Sequence, residues 1–271
     1  MLVNLNDVLL DAKKNKYGVG LFNTINLEMA KGVIAAAEDT NSPAIIGSAE
    51  VLLNCSTLEE LSYMLIPMAK KASVPIVLHF DHGLTAANVR KAIDCGFTSV
   101  MYDCSALAYE ENIREVAEIV KYAHSKGVTV EGELGHVGSN VNEADKGIYT
   151  DPDQAKDFVE RTGVDALAVA IGTAHGTYKE KPKLQLEILD KIAEKVSVPL
   201  VLHGGSGLTD EDFKNAIKHG ISKVNIFTDL NIAAEMAAFD GYKEGIGYSR
   251  IMPSVVEAVK QATIKKMSIF N

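Results

Sequence analysis

Eight short apolar runs, helical patterns between nearly all of them, and a length suited to one barrel predict an α/β chain closed into a (β/α)8 barrel. The runs are GVGLF (18–22), PAIIGS (43–48), PIVLHF (75–80), TSVMYD (98–103), VTVEGEL (128–134), ALAVAIG (166–172), PLVLHG (199–204) and SKVNIF (222–227). Gly, Pro or Asp bounds them, and their near-continuous apolar character fits parallel strands covered on both faces. The chain has 271 residues, and α/β barrels of about 250 residues routinely fold as one domain, so residues 1–271 are read as a single domain. An open doubly wound sheet, which usually has fewer strands, is the runner-up.

The elements follow in order. After the first run, Leu27, Ala30, Ile34 and Ala37 recur at helical spacing, and Ile113, Val116, Ala117 and Val120 do the same after the fourth. Residues 74–103 align with residues 198–227 without a gap at an offset of 124, with 12 identities in 30. Each segment is one strand–loop–helix–strand unit. The offset fits either shared βαβ geometry or a duplication of half-barrels. In both cases His79 and His203 occupy the same register. Thr209 and Asp212 form a capping-box pattern at a helix start. Val255, Val256, Val259, Ala262 and Met267 predict a terminal helix at about 253–267, which closes the barrel or meets another subunit.

Composition narrows the function. With 27 Lys+Arg against 36 Asp+Glu the net charge is −9, which argues against nucleic-acid or anionic-membrane partners, since both select basic surfaces. An anionic substrate must then be held by a local site. Three cysteines, Cys55, Cys95 and Cys104, make neither a disulfide framework nor a CxxC pair, as expected in a reducing cytoplasm. The first residues hold no apolar signal segment, and no stretch nears 18 uncharged apolar residues. The expectation is a cytoplasmic protein with a small-molecule substrate.

Function in such barrels gathers at the C-terminal strand ends. There the sequence places His79, Asp81, His82, Asp103, Glu131, Glu133, Thr173, His175, His203, Asn225 and Thr228. One strand histidine is commonly a hydrogen-bonded core group. Several histidines and carboxylates buried together are costly unless they share a metal or each other's charge, and this donor set suits Zn²⁺ or a similar divalent ion. HGGSGLTDED (203–212) is the second constellation. Its glycines let backbone approach an anion, and its amides, Ser206 and the following helix start can bind phosphate. A plain tight turn would use the same glycines. IGTAHG (171–176) and Lys179 are weaker pointers.

HFDHG (79–83), SVMYDCS (99–105), VEGELGHVG (130–138), AIGTAHGTY (170–178), VLHGGSGL (201–208) and KVNIFTDL (223–230) resemble the motifs of class II, metal-dependent ketose-bisphosphate aldolases. NEAD (142–145) and the following YTDP are most similar to the tagatose-bisphosphate branch. The resemblance implies that His82, His175 and His203 hold Zn²⁺, with Asp103 and Glu133 beside the metal as an alternative position. It implies that Asp81 is the acid/base. It further implies that Gly176, Gly204, Gly205, Ser206, Asn225, Phe227 and Thr228 bind the dihydroxyacetone-phosphate half. A monovalent cation, Na⁺ or K⁺, near Gly176 and Ser206 and a homodimer or homotetramer are implied in the same way. Register nominates His79 as the third ligand, whereas the resemblance nominates His82, which is followed here.

Three departures stand out. The acidic Gly-Gly-x-Glu-Asp stretch after the fifth run is missing, with Glu143 as the substitute on offer. Phe227 stands where Asp, Ser or Ala is common. Segment 234–250 is short, leaving Arg250 as the candidate for a far phosphate. The substrate expected is therefore a tagatose or fructose 1,6-bisphosphate, or alternatively a ketose 1-phosphate. A non-catalytic sugar-phosphate-binding subunit and a metal-dependent hydrolase are the competing readings, and the latter is disfavoured because no His-x-His follows the first run.

Overall fold

The structure, a computed structural model, describes residues 1–138, 147–176, 178 and 182–270. Its strands are β1 (Leu2–Val3), β2 (Val19–Asn23), β3 (Ala44–Ala49), β4 (Ile76–Gly83), β5 (Ser99–Tyr102), β6 (Thr129–Leu134), β7 (Ala166–Val169), β8 (Leu200–Leu202) and β9 (Ile221–Ile226). The helices are α1 (Asn6–Asn15), α2 (Leu27–Asp39), α3 (Leu58–Lys71), α4 (Ala86–Asp94), α5 (Tyr109–His124), α6 (Pro152–Thr162), α7 (Leu186–Lys195), α8 (Asp210–Lys218), α9 (Thr228–Lys243) and α10 (Tyr248–Phe270). Strands β2 to β9 pair in parallel, each with its neighbours, and the β2–β9 and β4–β5 pairings close them into a ring. Closure excludes the open-sheet alternative. β1 pairs with Ile76 and Val77 below the level at which β5 begins, at His79↔Ser99.

Strand periodicity divides the core into two layers. Outward residues such as Phe22, Ile46, Leu78, Val100, Val130, Leu167 and Val224 pack under the helices. Inward residues Val19, Leu21, Ile45, Val77, Met101, Ala166, Ala168 and Val201 meet Leu5, Val8, Leu9 and Ala12, so α1 plugs the lower end of the barrel. Above this apolar floor the interior turns polar: Asn23, His79, Asp81, Glu131, Glu133, His203, Lys223 and Asn225 are all buried. Strands β3 and β4 approach so closely that a Cβ on Gly47 would lie 1.8 Å from the His79 carbonyl oxygen.

Helix starts use the expected chemistry. Thr209 and Asp212 form both bonds of a capping box, and Thr57 with Glu60 forms another that the sequence reading did not name. The terminal helix runs Tyr248–Phe270, five residues earlier and three later than the periodicity placed it. It packs against α2, α8, α9 and β2. Burial of its Val255, Val259, Met267 and Phe270 stabilises that closure by about 1.5–3 kcal/mol per side chain. No helix among the described residues is long and apolar enough to cross a membrane.

Candidate active site

The site begins with an irregularity in β4. Between Phe80↔Val100 and Gly83↔Tyr102, β4 carries one residue more than β5. Such a bulge re-aims side chains beside functional sites. Asp81 stays in regular register with Ala49 of β3. His82 takes a left-handed backbone with φ of 41°, at a cost of about 1–2 kcal/mol for a non-glycine residue. The bulge turns His82 toward the cavity, where plain alternation would have faced it outward.

His82, His175 and His203 then converge. Ring centroids lie 4.7 Å apart for His82–His175, 4.4 Å for His82–His203 and 5.9 Å for His175–His203. His82 Nδ1 lies 3.1 Å from Asp103 Oδ2, and His203 Nε2 lies 2.8 Å from Glu131 Oε1. Each carboxylate accepts, so each of these nitrogens donates, and the tautomers follow from those partners. His82 Nε2 and His203 Nδ1 lie 2.6 Å apart, close enough to share one proton in the place a cation would take. His175 Nε2 is buried without a hydrogen-bond partner. One ligand atom from each histidine lies within 4.8 Å of the others, and His82, Asp103 and Glu133 form a second such set. Carboxylate-oriented imidazoles whose remaining nitrogens converge are how proteins prepare a metal site, and the residues fit a divalent ion.

Electrostatics agree. Burial pushes His175 down to about 3, and burial with the nearby His82 lowers His203. His82 resists burial and rises to about 9 because Asp81 and Asp103 lie beside it. Burial, then the Asp103 charge, raises the Glu133 carboxyl to about 8. One of its oxygens accepts from the Val137 amide at 3.0 Å, and the other is buried without a partner. The cluster thus holds one imidazolium, His82, against the ionised Asp81 and Asp103, with His175, His203 and the Glu133 carboxyl neutral.

Asp81 is held differently. Asn23 Nδ2 donates to one carboxylate oxygen at 2.8 Å and Asn225 Nδ2 to the other at 2.9 Å. Although burial opposes ionisation, His82, His203 and Lys223 hold its carboxyl well below the usual range. Beneath it, fully buried Lys223 pairs with Glu131 at 2.8 Å and donates to Asn225 Oδ1 at 2.8 Å. Asn23 and Lys223 were missed from sequence. Lys223 lies two residues before Asn225 on the same inward strand face, and that period was the available signal. His79, the register's nominee, is a core group with Nδ1 2.7 Å from Ser99 Oγ.

The glycine-rich loop lies across the same cavity, which has a volume of about 480 Å³. Gly204 has φ of 65°, and a Cβ there would sit 2.5 Å from the Ala174 carbonyl oxygen. Tyr178 ties the loops together, accepting from the Ala174 amide at 2.9 Å and donating to the Gly204 carbonyl at 2.8 Å. Ser206 Oγ accepts from the amides of Phe227 and Asp229 at 3.3 and 3.4 Å, joining the loop to the start of α9. Asp81, His82, Asp103, His175, Gly176, Gly204, Gly205, Ser206, Asn225, Phe227 and Thr228 together form its wall. Glu133 and His203 are buried behind this wall. Arg250 is exposed at the start of α10 and lines no part of the cavity. Glu143, the NEAD motif and Lys179 lie outside the described residues.

A closed barrel whose strand ends unite an imidazole cluster with an anion-binding loop defines an α/β-barrel enzyme acting on small polar molecules. The family model for class-II fructose-bisphosphate aldolase matches residues 3–271. Among curated relatives, an uncharacterised Escherichia coli K12 protein, YdjI, is 44% identical over 264 residues, covering 96% of this chain and 94% of its own. Fructose-bisphosphate aldolase of Staphylococcus aureus is 38% identical over 281 residues, covering 100% and 97%. The crystal structure of the Escherichia coli YdjI aldolase superposes with a TM-score of 0.92 at 41% identity, covering 100% of this chain and 98% of that one. A putative fructose-1,6-bisphosphate aldolase from Coccidioides immitis gives 0.92 at 31% identity, covering 98% and 96%. The chain belongs to the class II fructose-bisphosphate aldolase family and is an aldehyde-lyase.

Proposed function

We propose that this aldolase binds Zn²⁺ through His82, His175 and His203 and cleaves a ketose phosphate to dihydroxyacetone phosphate and an aldehyde. The observation that carries the reading is the convergence of three imidazoles, with His82 Nε2 and His203 Nδ1 2.6 Å apart and His175 Nε2 buried beside them without a hydrogen-bond partner. A divalent ion bound there supplies Lewis-acid stabilisation of the negative charge that develops on the substrate as the carbon–carbon bond breaks. Asp103 and Glu131 orient the ligand imidazoles. Asp81, ionised and fixed by Asn23 and Asn225, takes the proton from the hydroxyl that becomes the aldehyde. The electron pair of the broken bond stays with the dihydroxyacetone-phosphate half, which is then protonated on carbon. The backbone at Gly204, Gly205 and Ser206, together with the start of α9, anchors the phosphate and holds the substrate in register. No lysine nucleophile is needed. A monovalent cation near Gly176 and Ser206, a cytoplasmic location and a homo-oligomer complete this reading, supported by the family resemblance.

The tagatose or fructose 1,6-bisphosphate type is the first substrate reading. One observation favours the alternative, a ketose 1-phosphate: among the described residues, no Lys or Arg lines the cavity, while Val51, Leu52 and Leu84 do. The deciding experiment supplies purified enzyme and added Zn²⁺ with fructose and tagatose 1-phosphates and their 1,6-bisphosphates, and detects dihydroxyacetone phosphate. Product that disappears on exhaustive chelation and returns with Zn²⁺ supports the proposal. Full activity after chelation, or no cleavage of any ketose phosphate, overturns it.

A further inference from the structure

The ring of strands sets the two ends of a substrate apart. Strands β4 and β8 stand four places from each other whichever way the ring is counted, so they face each other across the barrel. β8 leads into the glycine-rich loop at Gly204–Ser206, and the imidazole cluster draws on both sides, with His82 at the end of β4 and His203 just beyond β8. A phosphate at the loop and reacting carbons at the imidazoles send the rest of the substrate toward the ends of β3 and β4.

That rim is apolar. A single 3-10 turn, Glu50–Leu52, follows β3 directly, and Leu84 follows β4. Val51, Leu52 and Leu84 line the cavity together with Ala49. Val51 is 69% exposed and Leu84 51%, whereas the neighbouring Leu53 packs on the barrel core. One exposed leucine is ordinary, but three large aliphatic side chains gathered at the mouth of a polar cavity mark a binding surface. The surface is braced from below. The Glu50 carboxylate accepts from the Leu84 amide at 2.7 Å, the Thr85 amide at 3.2 Å, the Thr85 hydroxyl at 3.1 Å and Asn88 Nδ2 at 2.8 Å. These bonds tie the turn after β3 to the start of α4, where a negative charge also suits the helix dipole. They occupy both Glu50 oxygens, so this acid serves the scaffold and leaves the rim to aliphatic groups.

A substrate half ending in phosphate would press a charged group against these side chains and strip its water. A half ending in a methyl group gains from them: one carbon more or less in an apolar pocket changes kcat/KM by about 10- to 200-fold.

We propose that Val51, Leu52 and Leu84 determine specificity for the aldehyde half, and that the substrate class is a ketose 1-phosphate whose far end is a methyl or short alkyl group. This inference rests on the aldolase function proposed above and narrows its substrate.

The test runs the reaction in the synthetic direction with the full chain, added Zn²⁺ and dihydroxyacetone phosphate. A carbon of dihydroxyacetone phosphate loses a proton, its electron pair forms the bond to the aldehyde carbon, and the aldehyde oxygen gains a proton, so the ketose phosphate is the sum of the two reactants. Racemic lactaldehyde, glyceraldehyde and glyceraldehyde 3-phosphate, which differ only at the far carbon, are compared by kcat/KM. Lactaldehyde should lead each of the others by at least about 10-fold. A Val51→Ser, Leu84→Ser variant should lose most of that lead while keeping its circular dichroism and bound zinc. General damage to the fold would lower all three values and leave their ratios unmoved. Glyceraldehyde or glyceraldehyde 3-phosphate equalling or beating lactaldehyde overturns the inference and leaves the aldolase function standing. An unchanged ratio in the folded variant removes these residues from specificity and likewise overturns it. If the variant does not fold, the wild-type ratio decides alone. No condensation with any of the three aldehydes overturns the aldolase function and this inference with it.

Discussion

Replacing Lys223 with Met should destabilise the barrel strongly, although the two side chains are similar in length. The Lys223 ammonium is fully buried, 2.8 Å from Glu131 Oε2. At that distance two unit charges attract by about 6 kcal/mol at an effective dielectric constant of about 20. Much of that offsets the desolvation of both ions, so the pair itself contributes little net stability. Removing only the lysine leaves the Glu131 carboxylate buried without its cation, which costs ~3–5 kcal/mol. For a chain of this size that is a fall in Tm of ~6–20 °C. Scanning calorimetry of the metal-free protein measures it. Adding Glu131→Gln should recover part of the loss, because no uncompensated charge then remains and His203 keeps an acceptor. The pH dependence has a definite sign. In the parent, burial would raise Glu131, yet Lys223 and His203 hold it near 2, so its contribution is present above the unfolded pKa and lost as pH falls toward 2. In the variant burial dominates and raises the folded pKa. Stability is then lost as pH rises, and the deficit should be wider at pH 8 than at pH 5. A fall in Tm under ~2 °C, or a double variant no better than the single one, would refute the reasoning.

Four further outcomes are expected. His203→Ala should abolish both bound metal, read by elemental analysis, and activity; a full equivalent of metal would count against its role as ligand. Asp81→Ala should retain metal while turnover falls by roughly 10²–10⁴-fold, and a fall of less than tenfold would remove Asp81 from proton transfer. Ser206→Ala should raise KM for the phosphorylated ketose by roughly 10-fold, the value of one hydrogen bond to a charged group, with kcat little changed. Gly47→Ala drives a methyl group into the His79 carbonyl and should cost ~3 kcal/mol or more in urea unfolding; an unchanged midpoint would show that β3 and β4 part easily.

The eight barrel strands, the capping box at Thr209 and the polar strand ends were legible because they depend on local periodicity and composition, whereas the two-residue β1 and the plug helix α1 were not. The cluster was legible as residue types but not as geometry. An ungapped repeat pairs His203 with His79, and regular alternation puts both on one face. The extra residue in β4 breaks that symmetry, so His79 serves Ser99 while His82 meets His203. Nothing in FDHG announces a bulge to a reading built on alternation. Lys223 was passed over for another reason: lysine is almost never fully buried unless paired, and its partner Glu131 lies 92 residues earlier on β6.

The bulge at His82 also bears on transplanting the site. A designer who grafts the three histidines onto an idealised barrel, with regular strands and no non-glycine residue at positive φ, would seat His203 correctly and would still have to build the loop beyond β7 that carries His175. His82 would still be aimed into the helical layer. The unit to be moved is the backbone fault together with the Asp103 that steadies the imidazole it redirects. The same holds for laboratory evolution: a one-residue deletion between Phe80 and Gly83 would restore a smoother strand only by removing Asp81 or His82, so the fault cannot be repaired there without losing the acid/base or a ligand.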